Sequence, residues 1–343
     1  MLKTPTNMLF MIILISGTII SISSNSWFNA WIGLEINLLS MIPILSSTKN
    51  KYNTESALKY FLTQAIGSII LMTGCLLMAL SSEINMTMHF SSPQLMMINS
   101  ALLLKMGAAP FHFWFPVVMD GVSWLKAILL MTWQKLAPLM LFSHNITFNK
   151  FIMSIIVCSV TIGALGGLNQ TSLRKIMTYS SINHTGWIIA AMMINEMYWM
   201  IYFTIYSLIT TAIALMFNSS NTFHISQLFL HKMNDPLTKT TTFVSLLSLG
   251  GLPPFLGFLP KWMVIQGLSQ NNCFLLITIM VMSTLITLFY YLRLMYSAMA
   301  INNLQPKWNL KNNFFQKNQA ALFSLTLSLS GLMIVTMTNN LLS

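Results

Sequence analysis

Four ionisable side chains stand alone in apolar stretches of this sequence. Glu35 lies in WIGLEINLLSMIPIL, Lys105 in SALLLKMGAAPF and Lys135 in AILLMTWQKLAPLMLF, while Lys261 follows LGGLPPFLGFLP. Only 7% of the chain is Asp, Glu, Lys or Arg, so charges placed this deep need a reason. An ionisable group in hydrocarbon is costly and is kept there for ion transfer or for pairing. An acid facing a lysine makes a switch: closing the pair stabilises both charges, and opening it makes the lysine shed a proton. Arginine would hold its proton throughout. Glu35 with Lys105 therefore reads either as such a switch or as a static buried ion pair that fixes packing. Lys135, preceded by Trp133 and Gln134, sits too deep to snorkel easily. It is either a proton carrier or a lysine satisfied by a carbonyl that Pro138 frees. Lys261 either moves protons toward the far side or snorkels to an interface.

Two histidines join this set. His112, in PFHFW, is either a proton relay near neutral pH or an interfacial ring between aromatics. His184, in SSINHTGW, is surrounded by Ser180, Ser181, Asn183 and Thr185, which suit either a water chain or interhelical hydrogen bonds. His89, His144, His224 and His231 lie in polar connections and receive no role. Cys75, Cys158 and Cys273 are widely spaced, without CxxC or a zinc-type cluster, and read as small packing residues. No GxGxxG or P-loop occurs. GALGGL, from Gly163, has no strand before it and reads as close helix packing. No nicotinamide, flavin, iron–sulfur or metal site is expected on this chain.

The elements that carry these residues follow from composition. The chain is 55% hydrophobic, with mean hydropathy +0.69, where a soluble protein carries about a quarter charged residues. Its apolar runs last roughly 20 residues, the length of a spanning helix, without the period-two alternation of barrel strands. The expectation is an all-α polytopic membrane protein with about eleven spans. Their limits fall near 4–22, 26–46, 56–81, 94–116, 122–143, 150–169, 175–194, 197–217, 240–268, 274–297 and 319–340. The opening MLKTPTNMLFMIIL lacks Arg and a small-residue cleavage site, so it reads as a first span.

Net charge is +11, but the basic residues sit in short connections rather than in one stripe, which argues against nucleic acid. With the N-terminus on the basic side, parity places Lys3, Lys49, Lys51, Lys59, Arg174, Lys175, Lys232, Lys239, Arg293, Lys307, Lys311 and Lys317 on one face. Lys126 falls just inside it, and only Lys150 falls opposite. That asymmetry sets the orientation, and an odd number of spans puts the C-terminus on the far side.

An internal repeat adds a second constraint. GAAPFHFWFP matches GLPPFLGFLP at Gly107, Pro110, Phe111 and Pro116 against Gly251, Pro254, Phe255 and Pro260. Proline inside a helix removes a hydrogen bond and clashes with the preceding turn. Five spans separate the copies, so they run in opposite directions, as inverted repeats with broken helices do around a transport site. The expected organisation is residues 1–146 as one repeat, 147–300 as the second, and 301–343 as a basic connection with a terminal helix.

WIGLEINLLSMIP, ALKYFLTQAIGS, LLLKMGAAPFHFWFP, MTWQKLAP, GALGGLNQTSLRKIMTYSSINHTGW and SLGGLPPFLGFLPKW together resemble the chain 2 family of mitochondrial NADH–ubiquinone oxidoreductase, respiratory complex I. The likeness runs from about Trp27 to Arg293, and the 29 methionines suit an animal mitochondrial, insect-like version. The resemblance implies an antiporter-like pump module of the membrane arm, built from two inverted five-helix repeats, each with a broken helix. Residues matching the family's key glutamate, paired lysine, central lysine and exit-side lysine are Glu35, Lys105, Lys135 and Lys261. The resemblance also implies coupling: quinone reduction elsewhere sends an electrostatic signal, and protons move through the lysines. A unit charge about 4 Å away is worth about 4 kcal/mol at an effective dielectric near 20, enough to load or unload a lysine. NADH, FMN, iron–sulfur clusters and ubiquinone are then expected on other subunits, and the partners are those subunits and phospholipids. The implied location is the mitochondrial inner membrane, with the N-terminus in the matrix and the C-terminus in the intermembrane space. Two rivals stand beside this reading: a free-standing cation/proton antiporter, and a structural subunit whose lysines only hold packing.

Overall fold

The structure is a computed structural model that describes residues 5–47, 50–84, 92–146, 149–230 and 236–300. The predicted terminal span, and with it Lys307, Lys311 and Lys317, lies outside the described residues. So do Lys3, Lys49, His89, His231 and Lys232.

Among the described residues every named element is a helix. The apolar runs become α1 (Pro5–Ile22), α2 (Trp27–Leu45), α3 (Lys51–Ile84), α4 (Ser92–Met106), α5 (Trp114–Gly121), α6 (Trp124–Met131), α7 (Trp133–Ser143) and α8 (Lys150–Gly166). They continue as α9 (Leu173–Met192), α10 (Glu196–Ser220), α11 (Ile225–Leu230), α12 (Pro236–Gly250), α13 (Phe258–Gln270) and α14 (Phe274–Ala300). Six apolar segments have the length and composition to cross a membrane, and shorter apolar helices accompany them. α3 exposes Leu58, Leu62, Ile66, Ile69 and Leu80, an outward apolar stripe at helical spacing that suits lipid.

The chain divides into two compact units at Ile155 and Ile156. In the N-terminal unit α2 packs between α1 and α3, and α4 packs on α3 and α7. In the C-terminal unit α9 packs on α10 and α13, while α12 packs on α10 and α14. All of α9 is buried except Arg174, Lys175 and Tyr179, as befits a helix enclosed on every face. Gly163 and Gly186 let α8 and α9 approach: a Cβ at Gly163 would lie 2.6 Å from the Asn183 nitrogen, and one at Gly186 would strike Ser159. GALGGL therefore acts in packing, as its small residues imply. The three cysteines are free and half-buried.

Both predicted helix breaks are present. α4 ends at Met106 and the chain restarts as α5 at Trp114; α12 ends at Gly250 and restarts as α13 at Phe258. Each first helix closes in a Schellman motif. Gly107 N–H donates to Leu104 O and Ala108 N–H to Leu103 O; Gly251 N–H donates to Ser248 O and Leu252 N–H to Leu247 O. That turn needs a left-handed residue, and Gly107 (φ 72°) and Gly251 (φ 76°) supply it. Pro116 and Pro260 each fall in the first turn of the restarted helix, where a missing N–H breaks no helical bond.

A third break was not anticipated. The expected single span over 122–143 is two helices, α6 and α7, that part at Thr132. Thr132 Oγ1 and N–H both donate to Ile128 O, at 2.7 and 3.0 Å. Pro138 cannot donate to the Gln134 carbonyl four residues back, so the ladder is weakened on both sides of Lys135.

Candidate functional site

Lys105 is the penultimate residue of α4 and Lys135 lies in the first turn of α7. Their side-chain environments meet. Both line one buried cavity of about 20 Å³ with Asn37 from α2, Tyr60 and Gln64 from α3, and Gln134 from α7. That is room for about one water. Lys105 is 7% exposed and Lys135 2%, which rules out snorkelling for both. The Lys135 ammonium lies 5.0 Å from the centroid of Phe115 in α5, a cation–π contact that favours a charge at that point.

Polar groups around the cavity are partly engaged. Tyr60 OH donates to Gln134 Oε1 at 3.3 Å, and Gln64 Nε2 donates to the Lys105 carbonyl at 3.5 Å. Asn37 Oδ1 and Gln134 Nε2 are buried without a protein partner. Buried polar atoms of this kind are the usual anchors of internal water. Tyr60 and Gln64 were missed in the sequence. Their signal was a polar pair four residues apart inside an apolar helix, which places both on one face.

Glu35 is half-buried in α2 and within Coulombic range of Lys105. No ion pair or hydrogen bond joins the two among the described residues, so the pair stands open in this structure. A hydrogen-bonded carboxylate–lysine pair, Glu55 with Lys59 at 2.6 Å, is on the exposed start of α3.

Lys261, in the first turn of α13, is 6% exposed and does not snorkel. Its Nζ donates to Gly250 O at 2.7 Å and more weakly to Leu249 O at 3.4 Å. These are carbonyls of the last turn of α12, left without helical donors by the break. The ammonium also lies 6.0 Å above the Trp187 ring. The carbonyl-held lysine envisaged at Pro138 is thus realised at the second break.

His112 is buried within the first break. Its Nδ1–H donates to Pro110 O at 3.3 Å, and its ring lies 4.4 Å from Phe113. His184, also buried, lies in the other unit with Nδ1 2.9 Å from Tyr202 OH. Ser180, Ser181 and Thr185 beside it donate to Met177, Thr178 and Ile182 carbonyls of their own helix, and Ser181 and Ser180 also engage Tyr206 of α10 and Tyr291 of α14. Such back-bonding is the common fate of hydroxyls in apolar helices.

Residues 24–287 match the family described as NADH:quinone oxidoreductase/Mrp antiporter, TM. The chain belongs to that family. It is 52% identical over 338 residues to NADH-ubiquinone oxidoreductase chain 2 of Anopheles gambiae, covering 98% of each chain, and 52% identical over 338 residues to that of Aedes aegypti. Its fold is similar to a chain of respiratory complex I from Thermus thermophilus with bound Aureothin, at a TM-score of 0.83 and 22% identity, over 96% of this chain and 78% of that one. The family is a membrane family, and this member crosses the membrane several times.

Proposed function

We propose that the chain is a proton-conducting membrane-arm subunit of NADH-ubiquinone oxidoreductase in the mitochondrial inner membrane. Its N-terminus faces the matrix and its C-terminus the intermembrane space, following the lysine asymmetry. Two inverted repeats, each with a broken helix, supply the path. The redox groups that drive it, from NADH and FMN to iron–sulfur clusters and ubiquinone, belong to other subunits.

The observation that carries this reading is the cavity shared by Lys105 and Lys135. Two lysines enclosed together repel, so a proton on one opposes a proton on the other. Glu35 tips that balance. When Glu35 approaches Lys105 the proton is held there; when it withdraws, Lys105 Nζ releases a proton to a water in the cavity, and that water passes a proton to neutral Lys135 Nζ. Lys261 serves the second unit in the same role. Its ammonium rests on the Gly250 carbonyl and leaves that perch when it loses its proton, because a neutral amine binds a carbonyl less strongly. His112 and His184 are further stations, one at each break.

The first experiment runs solubilised inner membranes on a native gel, stains for NADH oxidation and probes for this chain. Co-migration with a large NADH-oxidising band is expected, and a small separate species would favour a free-standing antiporter. The second replaces Lys135 by Met. The complex is expected to assemble while proton translocation per NADH falls by about tenfold or more. Full pumping in assembled complex would remove Lys135 from the path, and failed assembly would assign it to scaffolding.

A further inference from the structure

The C-terminal unit holds a second small cavity. A cavity of about 10 Å³ lies against the second break, with Ser248, Leu249 and Gly257 on one side and His184, Tyr202 and Tyr206 on the other. This space meets the lower bound for one water. Tyr202 and Tyr206 stand one helical turn apart on α10, and neither carried any signal of chemistry in the sequence beyond that spacing.

Tyr202 is bound to His184 in a defined way. Its hydroxyl lies 2.9 Å from His184 Nδ1, and both residues are buried. We assign Tyr202 as the donor of this bond; its proton then points at Nδ1 and neutral His184 carries its own proton on Nε2. The Tyr202 ring is held in place by stacking on Trp187, with centroids 6.5 Å apart and planes at 15°. Trp187 is also the ring beneath the Lys261 ammonium. Tyr206 closes the other side of the imidazole, with ring centroids 5.1 Å apart.

We propose that Tyr202 is the proton-entry residue of His184, linking the cavity at the second break to the imidazole. The step is a concerted shift of two protons. A cavity water gives a proton to the Tyr202 oxygen while Tyr202 gives its own proton to His184 Nδ1. Tyr202 ends neutral, the water becomes hydroxide until a further proton arriving at the break restores it, and His184 becomes the doubly protonated cation. A half-turn of the imidazole carries the protonated Nδ1 away from Tyr202, where it releases its proton and leaves a neutral ring with its proton on Nε2. The ring then turns back, which restores the starting tautomer beside a neutral Tyr202. The net result is one proton moved from the break to the side of His184 opposite Tyr202.

The proposal rests on His184 being a station of the path, and the test separates the two. Tyr202→Phe, His184→Gln, the double variant and Tyr206→Phe are introduced into the assembled complex, and proton translocation is measured per NADH oxidised in sealed membrane vesicles. Tyr202→Phe keeps the ring that stacks on Trp187 and removes only the hydroxyl. We expect it to assemble and to lower translocation by about tenfold or more, with no further loss when His184→Gln is added, because the two act in series. Tyr206→Phe should lose less. Normal translocation in His184→Gln would sink the His184 station itself. Loss in His184→Gln with normal translocation in Tyr202→Phe would overturn the Tyr202 relay alone. Additive losses, an equal loss in Tyr206→Phe, or failure of Tyr202→Phe to assemble would each assign the hydroxyl to packing and overturn the relay as well.

Discussion

The two broken helices close with the same motif and then treat their exposed carbonyls differently. At the first break a neutral donor reaches back: Trp114 Nε1 donates to Leu104 O at 3.0 Å. Gln64 engages the Lys105 carbonyl beside it. At the second break the position of Trp114 is taken by Phe258, which has no donor, and Lys261 one turn later supplies the hydrogen bonds instead. Phe113 of the first break likewise has Gly257 as its counterpart. A side chain at Gly257 would collide with the Ser248 carbonyl, so the second break is folded tightly against its own helix. The difference teaches how one Gly–Pro framework yields two kinds of lysine. Where a tryptophan satisfies the last turn, the lysine before the break is released to a cavity that it shares with a second lysine. Where it does not, the lysine after the break is held by the backbone.

Exchanging donors should break this contrast. Lys261→Met has the largest expected effect, because it leaves the Gly250 and Leu249 carbonyls buried without a donor, a cost of about 1–3 kcal/mol. Both the dissociation temperature of the assembled complex and translocation per NADH should fall, and an unchanged dissociation temperature would show that the carbonyls find other donors. Gly251→Ala comes next. A Cβ there would lie 2.8 Å from Lys261 Cδ and 2.9 Å from Nζ, on a backbone that already costs a non-glycine residue about 1–2 kcal/mol. Displacing the ammonium should lower translocation as well as stability. Gly107→Ala meets the same backbone strain, but the nearest atoms to its Cβ would be those of Phe115, at 3.3 Å, and Trp114. Stability should drop by about 1–2 kcal/mol with a smaller loss of translocation than Gly251→Ala shows; equal losses would mean that the two lysines are held alike. Trp114→Phe makes the first break resemble the second. It removes one neutral hydrogen bond, worth about 1 kcal/mol, and the readout is the dissociation temperature, which Phe258→Leu should leave nearly unmoved.

Much of this could be read from residues alone. Ten of the expected spans correspond to described helices or broken helix pairs, and the matched motifs from Gly107 and Gly251 hold the two breaks, although left-handed glycine rather than proline closes each first helix. Hydropathy, helix length and the left-handed demands of a Schellman turn are local properties, so they survive without knowledge of packing. The break at Thr132 escaped because threonine and a proline six residues later do not by themselves stop an apolar helix; the carbonyl of Ile128 takes two donors from Thr132 only once the chain is folded. Ser180 and Ser181 make the interhelical contacts open to them, with Tyr291 and Tyr206, and with Thr185 they also serve their own helix, since a hydroxyl on a buried helix bonds its own backbone as readily as a neighbour.

The sequence by itself determined the class of protein, the lone charges and the two Gly–Pro places where helices stop. Each follows from the chemistry of a short stretch, because burying backbone in lipid leaves helix as the solution and glycine or proline as its punctuation. Only the tertiary structure decided which charges meet. Lys105 and Lys135 share a cavity because α4 packs on α7, Lys261 lands on Gly250 because its helix folds back on the break, and Tyr202 reaches His184 because α10 packs on α9. These contacts depend on how helices distant in sequence rotate against one another, and no local pattern of residues carries that angle.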